Sequence, residues 1–69
     1  MQIQSQMAGM LLRVAVAVGD KVAAGQEVAT LESMKMEIPV EAEAPGTVIE
    51  VRKQAGEFVQ EGDVLVVIA

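Results

Sequence analysis

Gly9-Met10-Leu11-Leu12-Arg13-Val14 returns further along the chain as Gly46-Thr47-Val48-Ile49-Glu50-Val51. At the same constant offset Gly19, Asp20, Val22, Gly25, Val28 and Leu31 fall on Gly56, Glu57, Val59, Gly62, Leu65 and Ile68, with no insertion. Two copies of one glycine-punctuated unit therefore lie either side of Glu32-Ser33-Met34-Lys35-Met36-Glu37. Lys35 is the only basic residue between Lys21 and Arg52. The symmetry is built around one amine.

Each unit reads as β. Leu12, Val14, Val16 and Val18 alternate with Arg13, Ala15 and Ala17, the period of a strand with one buried face. In the second copy Ile49, Val51 and Lys53 alternate with Val48, Glu50 and Arg52. Met36, Ile38, Val40 and Ala42 alternate with Glu37, Pro39, Glu41 and Glu43, and Pro39 restricts that strand to an edge or a bulge. Val28 to Leu31 and Val64 to Ile68 are short apolar runs expected to be buried on both faces, and residues 1 to 6 hold at most a first strand. No apolar helical period persists. The expected fold is all-β: a flattened barrel or sandwich of two pseudo-two-fold-related four-stranded halves. The recurring glycines should supply positive φ in its loops.

With 69 residues the chain has room for a single domain spanning 1–69. A chain this short buries only about 60% of its unfolded surface, so regular packing matters. There is no cysteine for a disulfide or a thiolate metal site, and Phe58 is the only aromatic residue. Ten acidic residues against five basic give a net charge of −5, which argues against nucleic acid as a partner. No stretch has the form of a signal peptide or approaches membrane-spanning length, so a cytoplasmic monomer is expected.

Between Ser33 and Met36 only Met34 and Lys35 remain to reverse the chain. Two-residue hairpin turns favour Asn-Gly or Asp-Gly, and Met-Lys is a poor substitute. A lysine at a hairpin tip is ordinarily a solubilising charge, and methionines ordinarily fill cores. A methionine at the tip has no core to fill. Two thioethers beside an exposed amine read better as a surface recognised by another protein.

Glu32-Ser33-Met34-Lys35-Met36 resembles the attachment motif of biotinyl domains, usually Glu-Ala-Met-Lys-Met. The resemblance runs from about Met7-Ala8-Gly9 to Val67, through Ala44-Pro45-Gly46 and Gly56…Gly62-Asp63. It points to the biotinyl/lipoyl attachment family and, within it, to the small free-standing attachment proteins of bacteria. The match begins almost at Met1, which favours a complete free-standing protein. The resemblance implies that Lys35 carries biotin in amide linkage. It also implies that biotin protein ligase reads Met34 and Met36, with Glu32 helping it to choose this lysine. The chain would then be no enzyme but a biotin carboxyl carrier, its arm moving carboxyl groups between biotin carboxylase and carboxyltransferase sites.

Three positions depart from the pattern. Ser33 replaces alanine, Ala8 stands where many relatives have proline, and the strand from Met10 to Val18 lacks the inserted thumb of some acetyl-CoA carboxylase carriers. A lipoyl carrier, modified on the same Lys35 by a lipoyl ligase, is the alternative. Its usual turn is Asp-Lys-Ala, which Met34 and Met36 do not match. A lipoyl-like structural module is a remote third reading, since such modules insert a helical hairpin between their half-motifs. Glu37, Glu41 and Glu43 share a face but read as a solvated edge rather than a cation site. Ser5 and Ser33, without histidine or cysteine, complete no nucleophilic triad.

Overall fold

The computed structural model describes residues 1–69 and contains eight strands and no helix: β1 Gln2–Gln4, β2 Gly9–Val14, β3 Lys21–Val22, β4 Glu27–Ser33, β5 Met36–Glu41, β6 Gly46–Val51, β7 Phe58–Val59 and β8 Val64–Ile68. They form two four-stranded sheets, in the orders β1-β8-β6-β3 and β5-β4-β2-β7, and every pairing is antiparallel. The second order is the first after exchanging each strand for its copy in the other repeat. A pseudo-two-fold thus relates the sheets, as the repeat requires. The halves also interleave: each sheet takes two strands from each repeat, so neither half can close its own core.

The core shows how far this equivalence goes. Leu11 and Val48, Val22 and Val59, Val28 and Leu65, Ala29 and Val66, and Leu31 and Ile68 are all buried, two by two at equivalent positions. The runs Val28–Leu31 and Leu65–Ile68 supply most of this interior; the expectation of burial on both faces holds along Val28–Leu31 but not along all of Val64–Ile68, where Val64 and Val67 are half-buried. The loops repeat to the level of single hydrogen bonds. The Ser5 and Ala42 amides donate to the Asp63 and Gln26 carbonyls, and the Leu11 and Val48 amides to those of Glu57 and Asp20. Asp20 and Glu57 each accept from a backbone amide three residues earlier, at Ala17 and Gln54, and Gln26 and Asp63 do the same at Ala23 and Gln60. These short local bonds explain why the loops need carboxylate or amide side chains beside their positive-φ glycines.

The expected alternation along the first strand needs correction. The pairing of β2 with β4 shifts register between Leu11 and Arg13, and that of β6 with β8 between Val48 and Glu50. One residue bulges out in each case, Leu12 and Ile49, at equivalent positions. A bulge reverses the phase of the side chains on either side of it. Leu11 and Val48 therefore point inward, whereas Leu12 and Ile49 are exposed. Beyond Val14 and Val51 both strands have ended, Val16 still reaches the core, and Val18 stands exposed in the following loop. Pro39 lies on β5, an outer strand of its sheet, where no neighbour requires its missing N–H.

Beside the first bulge, Arg13 bonds both Glu27 and the Thr30 hydroxyl, and Thr30 donates to the Glu27 carboxylate. The Thr30 hydrogen bond, and after it that of Arg13, holds the Glu27 carboxyl below its ordinary value of 4.5, against an opposing effect of desolvation.

Candidate functional site

The β4–β5 hairpin closes with Ser33 opposite Met36, and Met34 and Lys35 alone make the turn. Their φ angles are 53° and 66°. Both are left-handed, as the two-residue turn matched to strand twist demands. They are the only non-glycine residues with positive φ in the chain. The conformation is imposed by the ladder behind it, where Leu31 pairs with Ile38 and Glu32 with Glu37, and Leu31 anchors the hairpin in the core.

Everything at the tip faces water. Met34 is 91% exposed and Met36 62% exposed, so neither thioether fills a core. Lys35 is exposed and enters neither of the two ion pairs, Arg13–Glu27 and Arg52–Glu50. No side-chain hydrogen bond holds its amine. Glu32 points outward from β4 next to Glu37 of β5. Glu32, Met34, Lys35 and Met36 are thus brought together on one projecting hairpin. Lys21 begins β3, at an edge of the other sheet, and Lys53 is half-buried beyond β6.

A tip of this form can present an amine but cannot enclose a substrate. A groove of about 430 Å³ does exist between the outer strands β1 and β5, lined by Ile3, Ile38, Val40 and Glu43 among others. Neither Met34, Lys35 nor Met36 contributes to it. Glu37, Glu41 and Glu43 are exposed, and no three acidic residues converge to hold a metal ion. Strand pairing also sets Met10 of β2 beside Glu32, and Phe58 of β7 beside Met10. The sequence carried no signal for this neighbourhood, because pairing partners so far apart leave no local trace.

A family model for the biotin/lipoyl group, described as "biotin-requiring enzyme", matches residues 1–68. The biotin/lipoyl attachment protein of Bacillus subtilis (strain 168) is 58% identical over 65 residues, covering 94% of this chain and 89% of that protein. The mitochondrial propionyl-CoA carboxylase alpha chain of Homo sapiens is 47% identical over 64 residues, which cover 93% of this chain but 9% of that one. Among solved structures, the urea carboxylase of Kluyveromyces lactis superposes with a TM-score of 0.93 at 35% identity, over 100% of this chain and 6% of its own.

Proposed function

The chain belongs to the biotin/lipoyl attachment family, and on that premise we propose that it is a biotin carboxyl carrier whose Lys35 receives the cofactor. The observation that carries this reading is the Met34–Lys35 turn. A free amine stands at the tip of a rigid hairpin, in a backbone conformation that ordinary side chains avoid, with exposed methionines on either side.

The modification itself is a simple acyl transfer. Lys35 Nζ attacks the acyl carbon of a biotinyl-adenylate, the amide bond forms, the mixed-anhydride bond to the phosphate breaks, and AMP leaves. The amine must give up a proton. The chain has no histidine, and no side chain is hydrogen-bonded to Lys35, so the biotin protein ligase takes the proton. Amide formation removes one positive charge from a molecule already at −5. Bound biotin supplies the ureido nitrogen that accepts and releases a carboxyl group. The chain's own contribution is to hold the attachment point out from a stiff barrel, so that one arm reaches both a biotin carboxylase and a carboxyltransferase. It serves as substrate and carrier, not as catalyst.

Met34 and Met36 form the surface that the ligase reads, with Glu32 beside them. Lipoate would need the same lysine, but the two exposed thioethers favour biotin. The unit is the single domain 1–69, working in the cytoplasm; no helix of the chain is long and apolar enough to cross a membrane. Incubating the apo-protein with ATP, biotin and a biotin protein ligase should add the mass of one biotin. Lys35→Arg should add none, while Lys21→Arg and Lys53→Arg should still gain one. A mass gain that persists in Lys35→Arg would overturn the assignment.

A further inference from the structure

We infer that Met10 and Phe58 form a second contact with the biotin protein ligase, beside the lysine turn and on the outer face of the β5-β4-β2-β7 sheet. This inference rests on the carrier reading above. Strand register places Glu37, Glu32, Met10 and Phe58 in one row across all four strands, each directly opposite the next. Residues so paired share a face. The face is the outer one, because Leu11, Leu31 and Val59, the neighbours of Met10, Glu32 and Phe58, all point into the core. The row lies one pair from the Ser33–Met36 closure and so borders the turn itself.

Its composition is out of place on a surface. Phe58, the only aromatic residue of the chain, is 61% exposed, and Met10 is 38% exposed. The pseudo-two-fold supplies an internal control. On the other sheet the positions equivalent to Met10 and Phe58 are Thr47 and Lys21, paired in the same way. The same backbone therefore accepts polar residues, and folding does not require apolar ones. Leu12 and Ile49 mark the contrast: both are exposed, so their exposure belongs to the repeated bulge rather than to one sheet. Only the sheet that carries Lys35 has an exposed apolar pair at these positions.

The ligase is the partner that needs this surface. Before modification the reach of Lys35 is its own four-carbon stem. The ligase must therefore close on the protein around the turn, whereas enzymes that meet the finished arm can stay further away. Met and aromatic side chains are the types enriched at the centres of interfaces, with charged groups at the rim. Here Met10 and Phe58 extend the patch begun by Met34 and Met36, and Glu32 and Glu37 border it with negative charge. The ligase surface that fits is apolar with a basic edge.

The test exchanges the pair for its own counterpart. The Met10→Thr/Phe58→Lys variant places at each position a residue that the equivalent backbone already carries, and circular dichroism checks that it folds. Steady-state biotinylation should show KM for the carrier raised about tenfold, the size expected when one or two central contacts are lost, with kcat nearly unchanged. Met10→Leu/Phe58→Leu should keep most of the wild-type kcat/KM. The mirror variant Thr47→Met/Lys21→Phe should leave it unaltered. A wild-type kcat/KM in the folded Met10→Thr/Phe58→Lys variant would overturn the inference, even if carboxyl transfer by a carboxylase were impaired. Absence of biotinylation in the wild-type protein would instead sink the carrier reading itself.

Discussion

The two repeats build the same interior and different ends. Between the equivalent turns Gly19 and Gly56, and Gly25 and Gly62, φ varies only from 83° to 98°, and every buried valine or leucine except Val16, whose counterpart is the half-buried Lys53, has a buried partner across the pseudo-two-fold. The turn from β4 to β5 is where the equivalence stops. Its place on the other sheet is taken by the ends of β8 and β1, which run side by side without a turn. Where the repeats agree, packing and turn geometry account for the residues. Where they differ, Met34, Lys35, Met10 and Phe58 gather round one amine, while Arg13, Glu27 and Thr30 sit together beside the first bulge. Folding explains the symmetry; the proposed attachment of a cofactor to Lys35 accounts for the differences around the turn.

The equivalence of the interiors can be tested most severely at Gly9 and Gly46. A Cβ on Gly9 would fall on the Glu32 carbonyl oxygen, and one on Gly46 on the Ile68 side chain, itself part of the core, and on the Ala69 carbonyl. Backbone cannot yield as a flexible side chain can. Each glycine-to-alanine change should therefore cost about 2–4 kcal/mol in denaturant unfolding, the range of core overpacking and strain. Similar losses in the two variants would uphold the match between halves. A tolerated Gly46→Ala would break it.

A smaller effect of opposite sign is expected at the turn. Left-handed φ costs a side-chain-bearing residue about 1 kcal/mol or more, and Asn-Gly suits the same geometry without that cost. Replacing Met34-Lys35 by Asn-Gly should raise unfolding stability by about 1–2 kcal/mol while removing the proposed site of modification. An unchanged unfolding midpoint would mean that the turn holds no strain, and the contrast with the glycine loops would lose its energetic meaning.

The smallest effect separates the outer faces of the halves. Only the first repeat has the Arg13–Glu27–Thr30 group; its counterparts are Glu50, Val64 and Val67. A carboxyl whose pKa is lowered on folding adds stability above its unfolded pKa, and that stability is lost as pH falls through the folded value. Glu27 should thus titrate below 4.5 in the folded protein, and the stability it confers should fade as acid carries the pH down from that value. In Thr30→Val, which removes the largest cause of the shift, the Glu27 carboxyl resonance should titrate closer to 4.5. The ion pair with Arg13 is exposed and contributes little by itself.

Much of this was legible in the residues. The spacing of Ser33 and Met36 left room only for a two-residue turn, and the repeat dictated the pseudo-two-fold and the glycine loops. The hairpin expected from that spacing carries Glu32, Met34, Lys35 and Met36 together, as the structure has them. Other features were hidden for physical reasons. The bulges at Leu12 and Ile49 add a residue to one strand only, and their apolar side chains look like any core position. The interleaving of the halves and the meeting of Met10 with Phe58 depend on long-range pairing, for which periodicity within a strand holds no information.

The adjacency of β1 and β8 has a further consequence. The Met1 amino group donates to the Ile68 carbonyl, and β1 starts there, whereas β2 starts beside the lysine turn, with Met10 opposite Glu32. Polypeptide joined to either end of the barrel would therefore leave from the pole remote from Lys35. Such a unit is portable: it can be grafted between other folded parts without covering the Met34–Lys35 turn. A stretch similar to this chain makes up 89% of one relative and 9% of another, as a portable unit would.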